Sequence, residues 1–530
     1  MRRAAFSLPL AALIGGCSLA PAYRQPALPV PASWPAGDAY LRQTEATLPA
    51  LSYRDLFRDP RLVALIEQAF ANNRDLRVAA ANIAATRAQY RIQRADLFPQ
   101  VDVSGRYSYS GGGNGATAVA GTGAGGTPSP TPTPGTGTPT PTPGTPVPGT
   151  GGTSTVTTLS RSASSYSIDL GITAFELDLF GRIRSQTEAA LDRFFATEAA
   201  ARSVRLTLVG DIADAWLIYA ADRSLLRIAE QTAASAERSV SLTRARLRGG
   251  VAPRSDLRQA EQVLFTAQSD LAEQRTALAQ DVNALRLLVG AEIDPALLPQ
   301  SIEQVEASIA ALPAGLDSSI LLRRPDVVQA EYELRAANAE IGAARAELFP
   351  RISLTGIVGF ASDALRTLFT GDAFNYSVAP NVSYSIFRAG AGRAGVALTQ
   401  AQRDAALSSY ERSIQVAFRE VADALARRGT IADQLRADRN FEAAAADTFE
   451  LANARYRGGV DTFLSNLDAQ RSLYAAQRNL VLTRLTAGSN LVTLYRTLGG
   501  DPLVAADGAS TAAPTPGTNG PADGADSPAR

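Results

Sequence analysis

The chain has 530 residues, enough for two or three ordinary domains, and its 51 basic and 51 acidic residues cancel to a net charge of zero. That balance points to no nucleic-acid partner. There is no histidine, no lysine and a single cysteine, which excludes the commonest general base, lysine chemistry, an intramolecular disulfide and a thiolate metal cage. Carboxylate or hydroxyl chemistry is all that remains for an enzyme, and no local pairing of acids marks such a site. No enzyme, cofactor or metal is expected.

Residues 1–16 read as an export signal. Arg2 and Arg3 precede a short apolar stretch, Ala4 to Ile14, too short to span a bilayer. Ile14-Gly15-Gly16-Cys17 resembles the lipobox of bacterial lipoproteins, in which the signal is cut before a cysteine that then receives lipid. Cys17 is therefore the candidate lipidation site, the other reading being an ordinary cleavage site with an incidental cysteine. Ser18 in place of Asp implies outer-membrane sorting. Residues 17–57 form a lipidated, extended N-terminal segment. No later run of about 18 apolar residues exists, so any membrane crossing must use strands.

An internal duplication organises the rest. Ala95-Asp96-Leu97-Phe98-Pro99-Gln100-Val101 recurs as Ala346-Glu347-Leu348-Phe349-Pro350-Arg351-Ile352, an offset of 251 that also pairs Asp75 with Asp326 and Arg94 with Arg345. Ala245-Arg246-Leu247-Arg248-Gly249-Gly250-Val251 recurs as Ala454-Arg455-Tyr456-Arg457-Gly458-Gly459-Val460, an offset of 209 that still holds at Gly290 and Gly499. One insertion in the first copy accounts for the change of 42: residues 111–164, rich in Gly, Thr and Pro, stand where the second copy has about 362–373. Such a segment buries too little apolar surface to fold and reads as an exposed loop.

The first repeat, 58–290, is predicted as a helix, strands 100–110 and 165–179 around the loop, and long helices 181–248 and 254–290. A linker at 291–320 follows. The second repeat, 321–500, is predicted as a helix, strands 351–361 and 374–387, and long helices 389–457 and 462–498. A disordered tail, 501–530, ends the chain. The long helices exceed any globular core. Leu257, Leu264, Leu271, Leu278 and Leu285 recur every seven residues, as do Leu473, Leu480, Ala487 and Leu494, the spacing of a coiled-coil seam. A buried bundle of a soluble protein fits this pattern too. The strands alternate apolar with polar residues, as in Val101, Val103, Tyr107 and Tyr109 against Asp102, Ser104, Arg106 and Ser108, which suits a transmembrane barrel or a half-buried soluble sheet. Four strands cannot close a transmembrane barrel, for which about eight are needed. Three chains would supply twelve.

Several stretches carry a family resemblance: Cys17-Ser18-Leu19-Ala20-Pro21-Ala22-Tyr23, Phe175-Glu176-Leu177-Asp178-Leu179-Phe180-Gly181, Leu322-Arg323-Arg324-Pro325-Asp326-Val327, Ala454 to Val460, and Leu467-Asp468-Ala469-Gln470-Arg471. From Cys17 to about Gly500 the chain resembles the outer-membrane efflux factor family of TolC-like proteins, in its lipoprotein branch serving resistance-nodulation-division pumps. The resemblance implies an α+β membrane protein of duplicated TolC-like fold. It implies a homotrimer whose twelve-stranded outer-membrane β-barrel continues into a long α-helical coiled-coil barrel in the periplasm. The implied partners are outer-membrane lipid, a periplasmic membrane-fusion adaptor and an inner-membrane pump, and the implied function is a passive exit duct for drugs or other small molecules. The long Thr/Pro-rich loop departs from the family's short extracellular loop.

The resemblance also places a constriction at the periplasmic helix turns of the second copy, where Tyr456, Asp461, Leu464 and Asp468 match. Three-fold symmetry would make each a ring, with aspartates selecting cations and leucines resisting water. Helix capping stands as the other reading of Asp461, and coiled-coil core as that of Leu464. Asp468 has Gln259 as its first-copy counterpart, and Arg455, Arg457 and Arg471 are its candidate counterions. Gly249-Gly250-Val251 and Gly458-Gly459-Val460 are read as chain reversals, both glycine pairs supplying left-handed freedom, and as the surface an adaptor touches. Three alternative functions remain open: the exit duct of a protein-secretion system, a soluble periplasmic coiled-coil adaptor or scaffold, and a lipoprotein hydrolase.

Overall fold

The computed structural model describes residues 18–35, 37, 40, 52–110, 163–306, 308–310 and 318–500. Cys17, most of the 111–164 loop and the 501–530 tail lie outside them. Two compact units emerge. One holds the helices, in the segments up to Leu97, Asp178–Phe349 and from Ile386 onward; the other holds the strands, in Phe98–Leu177 and Pro350–Ser385.

In the helical unit, α1 (Tyr53–Leu56), α2 (Pro60–Asn72) and α3 (Arg74–Ala95) lead to α4 (Arg182–Arg248) and α5 (Arg254–Val289). The second copy runs from α6 (Ile302–Glu306) and α7 (Pro325–Ala346) to α8 (Ala391–Arg457) and α9 (Phe463–Thr497). Helices α4 and α8 have 67 residues each, about 100 Å at 1.5 Å per residue. They begin after Gly181 and Gly390, both left-handed, so they start at 182 and 391 rather than at the expected 181 and 389. The expected single helix opening the first repeat is two, because Asn73 leaves helical geometry (ψ 138°) and caps α3 by accepting from the Leu76 amide at 3.0 Å.

That break serves the long helices. Asn73 Nδ2 donates to the Leu288 carbonyl at the end of α5, at 2.8 Å. At the duplicate position, Arg324 Nη1 donates to the Thr497 carbonyl at the end of α9, at 2.9 Å. Each side chain satisfies an end-of-helix carbonyl that has no partner in its own helix. Arg324 is buried and also holds Asp326 (2.8 Å) and Glu420 (2.9 Å), which explains the Arg-Arg-Pro-Asp stretch.

At its described residues the expected 291–320 linker packs into the core, where Leu298, Ile302, Val305 and Ile309 join Trp216 and Leu285. Glu303 on α6 binds Arg484 of α9 at 2.6 Å and Arg227 of α4 at 3.5 Å. The N-terminal segment is extended only at first, ending in α1, which Ser52 and Asp55 cap reciprocally. Upstream, Trp34 stacks on Phe418, the Tyr23 hydroxyl donates to Glu331, and Asn338 and Arg345 of α7 donate to the Pro21 and Leu19 carbonyls.

The strand unit is an open antiparallel sheet in the order β1 (Val101–Ser110), β2 (Ala163–Glu176), β3 (Arg351–Ser362), β4 (Phe374–Ser383). Register aligns the apolar residues across it: Val103 faces Leu170, Leu170 faces Val358, and Val358 faces Tyr376. This face is bare, with Val103 73% and Tyr376 75% exposed. The strand expected at 165–179 stops at Glu176 and that expected at 374–387 stops at Ser383, where pairing with β3 runs out at Arg351. The pairing also relocates one inserted residue. Val101 faces Ile172, and its duplicate Ile352 faces Val382, so Ile172 corresponds to Val382 rather than to Asn381. The extra residue lies in a β2 bulge between Ile172 and Phe175, with Ala174 at φ 52°, and the insertion is thus not confined to the loop.

Along the α4–α5 seam, Asp222 and Asp281 meet carboxyl to carboxyl. Burial, and then the Asp222 charge, pushes Asp281 up to about 7, and no arginine acts on either group. Their second-copy counterparts, Ile431 and Asn490, carry no charge. The folded chain keeps Asp281 protonated where the unfolded chain, with a pKa of about 4, has lost its proton. Stability from this seam is therefore present at low pH and is lost as pH rises toward 7. Asp281→Asn, the second-copy solution, should flatten the fall in thermal unfolding midpoint between about pH 4 and pH 7. An unchanged slope would place that pH dependence elsewhere.

Candidate functional site

The two helix turns are built alike. At the end of α4, the Val251 amide donates to the Arg246 carbonyl (3.0 Å) and the Gly250 amide to the Leu247 carbonyl (3.0 Å). At the end of α8, the Val460 amide donates to the Arg455 carbonyl (3.0 Å) and the Gly459 amide to the Tyr456 carbonyl (3.1 Å). Both are Schellman turns, which need one left-handed residue each. That residue is Gly250 (φ 75°) or Gly459 (φ 73°). Gly249 and Gly458 are right-handed (φ −77° and −72°), so one glycine of each pair supplies the left-handed residue that the reversal needs. Val251 and Val460 project from the turns, 77% and 71% exposed.

Beneath the turns, Val240, Leu257, Ala260, Tyr456, Phe463 and Leu467 form a small core that ties α4, α5, α8 and α9 together. Tyr456 is 4% exposed, so within the protomer it belongs to this core and not to a lining surface. Its ring packs on Phe463 (5.4 Å) and lies under the Arg246 guanidinium (4.4 Å). Its hydroxyl meets Thr243 at 3.4 Å. Arg246 Nη2 also donates to the Tyr456 and Arg457 carbonyls at 3.1 and 3.3 Å, placing a cation where the α8 dipole ends. Sequence pattern alone did not single out Arg246, because its partner lies in the other copy.

Asp461 accepts from the Thr462 amide (2.8 Å) and pairs with Arg455 (3.2 Å). The Thr462 amide first, and Arg455 after it, hold this carboxyl below the usual carboxylate range. The helix cap itself is Thr462, which accepts from the Ser465 amide. Within the protomer Arg455 pairs with Asp461 rather than with Asp468. Leu464, 54% exposed, and Asp468, also exposed, share one face of α9. Leu464 is therefore not coiled-coil core within the protomer. Asp468 has no ion pair among the described residues.

On the inner side of the same helix, Asn466 Oδ1 and Gln470 Nε2 are buried without hydrogen-bond partners. Leu257 stands at the first-copy position of Asn466. An orphaned buried group of this kind costs about 1–3 kcal/mol. Among the described residues no cluster of three or more acids, histidines or cysteines is placed to hold a metal ion, and no helix is long and apolar enough to cross a membrane.

The family model for outer membrane efflux proteins matches residues 65–291 and 316–500. The toluene efflux pump outer membrane protein TtgC of Pseudomonas putida is 42% identical over 503 residues, covering 94% of this chain and 96% of that protein. The outer membrane protein OprJ of Pseudomonas aeruginosa is 37% identical over 503 residues, covering 94% and 97%. Among solved structures, the open state of the Neisseria gonorrhoeae MtrE outer membrane channel superposes with a TM-score of 0.75 at 31% identity, over 92% of this chain and 98% of that one. CusC superposes with a TM-score of 0.76 at 34% identity, over 91% and 100%.

The turn geometry generates a direct comparison. Gly250→Ala and Gly459→Ala should each cost about 1–2 kcal/mol, the left-handed penalty of a residue with a Cβ. Gly249→Ala should cost nothing, since its backbone is right-handed and an added Cβ would meet nothing nearer than 3.6 Å. Thermal unfolding of the purified variants checks this, and equal losses for neighbouring glycines would contradict the Schellman assignment.

Proposed function

We propose that this chain, which belongs to the outer membrane efflux protein family, closes its duct only as three copies and gates it with the second-copy helix turn. Its role as the outer-membrane exit duct of an efflux system follows from the family, whose relatives here are efflux-pump outer membrane proteins. That separates it from the protein-secretion, scaffold and hydrolase alternatives. The drug or solvent it conducts is set by the inner-membrane pump and periplasmic adaptor, so the duct itself needs no selective pocket.

The carrying observation is the open sheet. Its apolar face is bare and its outer strands, β1 and β4, each have one unpaired edge. Ten residues in each suit a tilted strand crossing hydrocarbon, where about 9–11 are needed. Unpaired backbone groups are not tolerated there, so the edges must meet those of other copies. Two copies would give about eight strands, whose interior side chains fill it. Three give twelve and leave a lumen.

In that trimer Leu464 and Asp468 form an apolar ring and an acidic ring. The orphaned amides of Asn466 and Gln470 keep α9 weakly closed, so contact of an adaptor with exposed Val251 and Val460 can shift it between two arrangements. Lipid on Cys17 anchors the N-terminal segment, whose Leu19 is held by Arg345 of α7.

Three measurements test this reading. Detergent-solubilised protein should have the native mass of a trimer, and a stable folded monomer would refute the shared barrel. Cys17→Ser should abolish incorporation of labelled fatty acid. Asp468→Ala trimers should show higher single-channel conductance and weaker cation preference in planar bilayers, whereas Gln259→Ala should change neither. Parent-like conductance from Asp468→Ala would move the gate to Leu464 or Asp461.

A further inference from the structure

The loop that joins β3 to β4, residues 363–373, is built inside out. Its hydroxyls are spent within it. Those of Ser362 and Thr367 meet at 2.6 Å, and that of Thr370 donates to the Thr367 carbonyl at 2.7 Å. The amides of Thr367, Leu368, Thr370 and Ala373 donate to the carbonyls of Ala364, Leu365, Thr367 and Thr370. The large apolar side chains point outward instead, with Leu365 63% and Phe369 68% exposed. A loop made for water shows the reverse. Internal pairing of this kind is what irregular backbone needs where water is scarce, because an unpaired polar group there is costly.

The side from which Phe369 projects is fixed by its neighbours. Its ring lies 5.8 Å from that of Phe360, which lies 5.8 Å from that of Phe374. Phe360 faces Phe374 two residues along from the Val358–Tyr376 pair, so these rings stand on the bare apolar face of the sheet. At the same end, Tyr107 of β1 lies against Tyr166 of β2, ring centroids 4.8 Å apart, and Tyr166 faces Ser362, where the loop begins. Aromatic rings thus cross all four strands at the level of the loop. In membrane barrels such rings gather where hydrocarbon gives way to headgroups. The opposite ends of the strands lead into α3, α4, α7 and α8, so the loop stands at the outer end.

We infer that the β3–β4 loop is a membrane anchor, with Leu365 and Phe369 inserted among outer-leaflet lipids at the boundary between acyl chains and headgroups. The inference rests on the shared-barrel reading above and adds a lipid contact at the outer rim of the duct. The exposed charges of the loop, Asp363, Arg366 and Asp372, set its depth. They stay with headgroups and water, so only the apolar side chains enter.

Tryptophan placed in the loop tests this. The chain has two tryptophans, Trp34 and Trp216, both buried in the helical unit, so the parent supplies a constant background. Full-length Phe369→Trp protein is purified in detergent and reconstituted into phosphatidylcholine vesicles, with or without lipid brominated next to the headgroup. Most of the added emission should be lost to the brominated lipid and little of it to aqueous iodide. Asn375→Trp, on the polar face of β4, should behave in the opposite way. Quenching of Phe369→Trp by iodide, with none from brominated lipid, overturns the anchor. Tyr376→Trp separates the two readings. If brominated lipid quenches it but not Phe369→Trp, the barrel stands and the anchor falls, and if it quenches neither, both fall. Should Phe369→Trp fail to assemble, Leu365→Trp takes its place and is read by the same outcomes.

Discussion

A β-sheet with two free edges and a bare apolar face has no stable place as a single copy, in water or in hydrocarbon. Water rejects the face formed by Val103, Leu170, Val358 and Tyr376. Hydrocarbon accepts that face but cannot hydrogen-bond the unpaired edges of β1 and β4, at a cost of several kcal/mol per group. In the duct proposed above, pairing of these edges with those of other copies meets both demands.

The two copies share a scaffold and differ where their roles differ. Scaffold positions keep a function while changing residue: Asn73 and Arg324 cap equivalent helix ends with different donors. Arg324 does more, drawing Asp326 and Glu420 into a buried network, and such a network holds α7, α8 and α9 to one arrangement. The first-copy seam carries the Asp222–Asp281 pair, with both carboxyls pushed up by burial, where the second carries Ile431 and Asn490. At the turns the contrast reverses. The first copy has Leu257 and Glu261, the latter paired with Arg244 and Arg258, where the second has Asn466 and Gln470, whose Oδ1 and Nε2 atoms are buried without partners.

Tyr456 and Arg246 connect the two. The guanidinium stacks on the ring and caps the α8 carbonyls, so the second-copy turn is pinned to the first-copy helix at its base. Leu464 and Asp468, four residues apart on α9, remain exposed, while Asp461 is committed to Arg455 and the Thr462 amide.

The sequence by itself determined what repeats: the seven-residue spacing, the 251 and 209 offsets, the Gly-Gly turns and the alternating strands. These are local or periodic features, and short-range sterics and amphipathicity suffice to set them. Family membership was legible for the same reason, since Arg324-Pro325-Asp326 and Ala454 to Val460 are contiguous stretches. Only the tertiary structure decided which glycine of each pair is left-handed, that Tyr456 is core, that the 291–320 linker packs, and that one inserted residue is a β2 bulge. It also decided that Asn466 and Gln470 lack partners and that Asp222 meets Asp281. Each of these depends on which atoms from distant segments arrive at one point. Packing and burial fix that arrival, and no spacing along the chain encodes it.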